Sequence, residues 1–140
     1  MLDANKTIVR RLMAEAWGQN RVAELDEYVS ANNRHHLGAG TTITFGPEQM
    51  RAMIANFRGA MPDFSCQIEH VIAEGDLVVL YARFTGTQTA TFAFAGRTLP
   101  PSNRTMDVPE TFMARIADGK IIESWATWDR LTLLEQLGGL

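Results

Sequence analysis

Cysteine is almost missing from this sequence. Cys66 stands alone among 140 residues, so no intrachain disulfide can form. There is no His-x-x-x-His, no cysteine pair and no tight acidic cluster, the spacings at which metal ligands gather, so no metal is expected. No Gly-x-Gly-x-x-Gly or phosphate loop occurs, which argues against a nucleotide cofactor, and no Gly-x-Ser-x-Gly elbow marks a hydrolase of that type. The net charge is −3, and no basic stripe offers itself to a phosphate backbone, so nucleic acid is not an expected partner. No apolar run is long enough to span a bilayer, and the opening MLDANKTIVRRLMAEAW lacks the continuous apolar core of a signal peptide. A single cysteine and no membrane segment set the expectation at a cytoplasmic protein.

What is present suits a single domain, 1–140, large enough to bury a core. Residues 4–18 read as a helix, because Ile8, Val9, Leu12, Met13, Ala16 and Trp17 recur at helical spacing before Gly18. A shorter helix is expected over 21–29, with strands near 34–37 and 42–45. A third helix begins at Gly46-Pro47, with Met50, Met53, Ile54 and Phe57 on its apolar face. From Phe64 onward the pattern is mostly strand. Glu74-Gly75-Asp76 and Asp118-Gly119 are hairpin turn signals, and Pro109 marks an edge or a bulge. A last helix, 130–137, carries Leu131, Leu134 and Leu137. Helices first and a strand meander afterwards indicate α+β: a curved, mostly antiparallel sheet with helices on its concave face.

Strand parity suggests which side chains could line a cavity under such helices. On the last strand Ile121, Glu123, Trp125 and Thr127 share one face, and Asp129 continues that row. Ile122, Ser124, Ala126 and Trp128 take the other face, where an uncovered apolar surface would favour a homodimer or higher homo-oligomer. On the preceding strand Glu110 is the one acid in the row Met106, Val108, Glu110, Phe112, Ala114, provided Pro109 introduces no bulge. His35 and His36 are adjacent in a strand, point opposite ways, and cannot hold one metal together. His70 shares a face with Phe64, Cys66, Ile68 and Ile72 and reads as a packed histidine.

Four stretches carry a resemblance: GPEQMRAMIANFRGAMPDF, VIAEGDLVVLYARFTGTQTA, LPPSNRTMDV and IADGKIIESWATWDRLTLLEQLG. Over residues 5–138 they resemble the SnoaL-like polyketide cyclases, of the nuclear-transport-factor-like and ketosteroid-isomerase-like superfamily. The resemblance implies a cone-shaped α+β barrel, usually oligomeric. It also implies that Asp129, in a Trp-x-x-x-Asp setting, acts as general acid/base, with its pKa raised by the desolvating Trp125. Against that stands a plain helix cap, a role Asp fills well. The resemblance favours His36 over His35 as a second catalytic group. Gln88 stands in GTQTA where many relatives carry His, which weakens the carry-over of a role there.

The expected activity is therefore a cofactor-free, acid/base-catalysed intramolecular aldol cyclisation of a hydrophobic polyketide-type molecule, with Asp129 and His36 catalytic. The substrate-binding set is Trp17, His35, Met50, Met53, Phe57, Tyr81, Gln88, Glu110, Phe112 and Trp125. A ligand-binding or non-catalytic dimerisation module is the alternative from another class. Isomerisation, cofactor-independent hydroxylation and epoxide opening are alternative chemistries in such a pocket. A deep cavity holding Asp129 and a second polar group would favour the enzyme, whereas Asp129 serving only as a cap would count against it.

Overall fold

A computed structural model describes residues 2–38 and 40–140. Helix α1 (Leu2–Arg11) runs into a wider π-helical stretch, Leu12–Trp17, and a single turn, α2 (Leu25–Tyr28), leads into β1 (Val29–His36). After β2 (Thr42–Thr44) and α3 (Pro47–Ala60) come β3 (Ser65–Glu74) and β4 (Leu77–Thr87). The short hairpin β5 (Phe92–Phe94) and β6 (Arg97–Leu99) stands apart, before β7 (Thr105–Ala117), β8 (Lys120–Trp128) and α4 (Arg130–Gln136). The main sheet has the order β2-β1-β8-β7-β4-β3 and is antiparallel except for the β1–β8 pair. The α+β expectation therefore holds, though the sheet stays open rather than closing into a barrel. The helix expected over 21–29 is only α2, because Val29 already has extended backbone and begins β1.

The helices lie on the sheet through the residues that the spacing singled out. Val9, Leu12, Met13 and Ala16 are buried on the first helix, and Met50, Ile54, Phe57 and Ala60 on α3. Full burial of the larger of these side chains contributes about 1.5–3 kcal/mol each, so these two stripes hold the layers together. At the start of α3, the Gln49 side chain accepts from the Gly46 N–H at 2.9 Å. Gly46 is needed for a close approach: a Cβ there would lie 2.5 Å from the Ala31 carbonyl oxygen of β1. Asp118 and Gly119 both have positive φ, 52° and 74°, the backbone a tight turn between β7 and β8 requires.

Pro109 introduces no bulge. It pairs with Arg83 of β4 in regular register, and β8 begins to pair with β7 only at Glu110. On its β8 side Pro109 is thus at an open edge, where its missing N–H breaks no ladder bond. The irregularities lie elsewhere. One separates Ile68 from His70 on β3, so His70 is exposed beside Tyr81 rather than packed, and Ile72 is 65% exposed. A second sets Ile116 opposite Ile121 and Arg115 opposite Glu123, leaving Ile122 as an extra residue on β8, and a third falls between Val29 and Arg34 where β1 pairs with β8. A single extra residue moves every later side chain to the other face.

Candidate active site

Two cross-strand pairs of the sheet, Phe112–Ala126 and Glu110–Trp128, form the floor of a cavity on its concave side. The row next to them, Val78–Ala114–Ser124, is packed beneath that floor. Trp17 of the first helix, Met50, Met53 and Phe57 of α3, and Phe94 of the β5–β6 hairpin form the walls. The cavity is about 340 Å³, within the range of small-molecule sites. Aromatic rings meet edge to face around it: Trp17 and Phe57 have centroids 5.9 Å apart, and Phe57 and Trp128 6.5 Å. Such contacts favour a rigid wall.

Few polar groups interrupt this lining. Glu110 projects from the centre of the floor, as the β7 row predicts. Its carboxyl makes no hydrogen bond or ion pair to any described residue, and it keeps some exposure only because the cavity reaches it. Burial pushes its pKa up to about 8, since the ionised form has lost water and gained no partner. His35 lines the same cavity and is 6% exposed. Its Nδ1 lies 2.7 Å from the Ser124 hydroxyl. Burial, reinforced by the charges of His36 and Arg130, lowers its pKa to about 4, so the ring is neutral near pH 7. Arg130 stands at the rim, its guanidinium 5.7 Å from the Trp128 ring centroid.

Several expected site residues lie elsewhere. Because of the extra residue at Ile122, Ser124, Ala126 and Trp128 face inward, while Glu123, Trp125 and Thr127 face outward. Trp125 stacks on His36 on the outer face, at 5.1 Å. His36 bonds there to Glu123 at 2.7 Å and to Thr42 at 2.9 Å, so the histidine expected to be catalytic lies outside the cavity, while His35, expected among the binding residues, lines it. The His36 bond, with help from Arg115 and Arg34, holds the Glu123 carboxyl below its ordinary range. Tyr81 is 36% exposed on the outer face. Gln88 is fully buried outside the cavity, where its Nε2 donates to the carbonyls of Leu99 and Pro100 at 3.1 and 3.0 Å and its Oε1 accepts from Ser102 at 2.6 Å. It ties the 99–104 loop to β4.

Asp129 departs most from its expected environment. It is exposed and does not line the cavity. One carboxylate oxygen accepts from the Thr132 N–H at 2.9 Å and the other from the Thr132 hydroxyl at 2.6 Å. These bonds lower its pKa, the reverse of the expected shift. The geometry is that of a helix N-cap. Trp17, Met50, Met53, Phe57, Glu110, Phe112 and His35 do come together at the cavity. Trp128, Arg130, Phe94 and the Ser124–His35 contact were not anticipated. The small residues Ser124 and Ala126, which share parity with Trp128, were the available signal for a face packed under helices.

Residues 7–137 match the SnoaL-like polyketide cyclase family. A candidate SnoaL-like polyketide cyclase from Jannaschia sp. CCS1 is 30% identical, with a TM-score of 0.84, and the match covers 100% of this chain and 95% of that one. TsrD from Streptomyces laurentii is 28% identical over 99% of this chain and 97% of its own, with a TM-score of 0.81. IdmH from Streptomyces antibioticus, a candidate polyketide cyclase, is 26% identical over 96% of this chain and 98% of its own, with a TM-score of 0.77. No curated protein matches the chain.

Proposed function

Because the chain belongs to the SnoaL-like polyketide cyclase family, we propose that it closes a ring in a hydrophobic polyketide-type small molecule by intramolecular aldol addition, with Glu110 as the proton-transfer group. The observation that carries this reading is the unpaired Glu110 carboxyl in an apolar cavity, with a pKa of about 8. A general base works best with a pKa near the operating pH. Asp129 is held low by its cap bonds, and His35, at about 4, is a weak base. Glu110 is therefore the group best matched to taking a proton from a carbon flanked by carbonyls.

The step balances without a cofactor. The ionised fraction of Glu110 removes the α-proton, and the resulting enolate carbon adds to a ketone carbon elsewhere in the same molecule. One C–C bond forms, the carbonyl π bond becomes an alkoxide, and Glu110 returns its proton to that oxygen. Substrate and product are isomers. The aromatic walls hold the chain folded, which supplies the proximity such a closure needs.

The expected homodimer remains part of this reading, on a different surface. Ala126 and Trp128 now face the cavity and cannot form the interface. The outer face offers instead the cross-strand row Trp125, Met113, Val79 and Ile72. Light scattering at high micromolar concentration tests it, and a monomer would refute it.

The decisive experiment compares wild type with Glu110→Gln on a cyclisable poly-β-ketone. Gln keeps the shape but cannot exchange the proton, so turnover should fall roughly a hundred- to ten-thousand-fold. The binding-module alternative predicts retained affinity and no turnover in either protein.

A further inference from the structure

Beneath the cavity floor lies a polar chain that the proton-transfer step does not use. Asn33 is fully buried on β1, Ser124 fully buried on β8, and His35 follows Asn33 on the same face. Asn33 Nδ2 donates to the Phe45 carbonyl at 3.1 Å and to Ser124 Oγ at 3.1 Å. Ser124 Oγ lies 2.7 Å from His35 Nδ1. No other side-chain bond of Ser124 is present among the described residues.

The direction of each bond follows from what each atom can do. The Phe45 carbonyl can only accept, so the atom of Asn33 facing it must be the NH2 group and the amide cannot be flipped. That group's second hydrogen then goes to Ser124 Oγ, which acts there as acceptor. Among the described residues the Ser124 hydroxyl hydrogen has one partner within hydrogen-bond distance, His35 Nδ1; Asn33 Oδ1 is buried nearby and bonds to nothing described. If Nδ1 carried the proton instead, Ser124 Oγ would accept twice and its own hydrogen would be buried without a partner, an arrangement proteins avoid. The imidazole proton therefore sits on Nε2. No described residue bonds Nε2, and the ring lines the cavity.

We propose that Asn33 and Ser124 are positioning residues that hold His35 as a neutral Nε2–H donor, aimed at an oxygen of the bound substrate. The ligand this site takes must then present a hydrogen-bond-accepting oxygen, a ketone or its enolate, near His35. A cationic or donor-only group in that place would meet the wrong partner. The low His35 pKa agrees with this arrangement, because the neutral ring persists through the working pH range. The inference rests on the cyclase reading for its catalytic meaning, but the tautomer itself does not depend on any reaction.

The test is histidine 15N NMR of the whole protein labelled at imidazole. The expected result is a pyridine-like resonance at Nδ1 of His35 and a pyrrole-like one at Nε2. Ser124→Ala should convert the ring to a tautomer mixture, and Ser124→Thr, which keeps the hydroxyl, should restore the single form. On a cyclisable substrate Ser124→Ala should lower kcat by about tenfold with KM little changed, less than the full loss of an oxygen-stabilising donor, about a hundredfold or more. A protonated Nδ1 in the wild type overturns the proposal, as does an unchanged single tautomer in Ser124→Ala. Should Ser124→Ala fail to fold, the wild-type spectrum decides alone. Loss of the cyclase reading through Glu110→Gln would leave that spectrum unaltered, so the two failures are separable.

Discussion

Glu110 and Trp128 sit directly opposite each other across β7 and β8, on the cavity side of the sheet. Side chains in that relation lie within about 4.5–5.5 Å at Cβ. An indole beside the carboxyl limits its hydration and supplies no bond to its charge, so the pair keeps the proton on Glu110 to unusually high pH.

That relationship, with His35, shapes the dependence of stability on pH above the ordinary carboxylate range. Glu110 has a folded pKa of about 8 against an ordinary 4.5, so its contribution is complete below 4.5 and is lost as pH rises to about 8. His35 is shifted the other way, from 6.5 to about 4, so the unfolded chain binds more protons in that window and stability rises with pH. Between 4.5 and 6.5 the two slopes oppose each other; above 6.5 only the Glu110 slope remains. Melting temperature should therefore fall from pH 6.5 to 8 in wild type and stay flatter in Glu110→Gln, as read by calorimetry across that range. An equal fall in the variant would refute the assignment.

Asp129→Asn should change neither melting temperature nor turnover appreciably, since Asn caps helices about as well as Asp. Asp129→Ala should lower the melting temperature while leaving turnover per folded molecule intact. Thermal melts and rates on the same samples check both. A large loss of turnover in Asp129→Asn would return the acid/base role to that residue.

The two tryptophans of β8 should behave differently. Trp128→Ala removes a cavity wall and should weaken binding of a naphthalene-sized ketone by about tenfold or more, in keeping with about 1–3 kcal/mol for part of an apolar contact. Trp125→Ala, on the outer face, should leave that affinity within about twofold. Isothermal titration with both variants decides, and equal losses would contradict the orientation of β8.

The β5–β6 hairpin turns through Ala95 and Gly96, with φ of 52° and 73°. An alanine at positive φ is strained, whereas Asn tolerates that region. Ala95→Asn should stabilise the protein by about 0.5–1 kcal/mol in urea unfolding. Unchanged or reduced stability would argue against that turn geometry.

Much of this architecture can be read from periodicity. The helix stripes through Leu12 and Ile54 and the turn at Asp118-Gly119 are local signals, and the row through Glu110 depends on simple alternation along a regular strand. The face of β8 cannot be read that way, because both of its parities carry large apolar residues, Ile121 and Trp125 on one and Ile122 and Trp128 on the other. Alternation chooses a face only when one side is polar. The extra residue at Ile122 then separates Ile121, which is buried, from the outward Trp125, and nothing local marks it. Of the two roles open to Asp129, the cap was legible locally from an Asp just before a helix, and the structure has it. The contacts of Gln88 with the 99–104 loop and of Ser124 with Asn33 join distant parts of the chain and have no local pattern.

The bond between His35 and Ser124 spans 89 positions of the chain, across the one parallel pairing in the sheet. Pairings of such separation form late and slowly, because the intervening chain must be ordered before they are rewarded. β3, β4 and β7 can meet as successive antiparallel neighbours, whereas β1 must wait for β8 to supply its partner edge. The cavity is complete only when β1 has paired with β8 and brought His35 to it. A fragment ending before β8 would hold Glu110 and α3 but never Ser124 or Trp128, so the cavity is a property of the whole domain rather than of any hairpin within it.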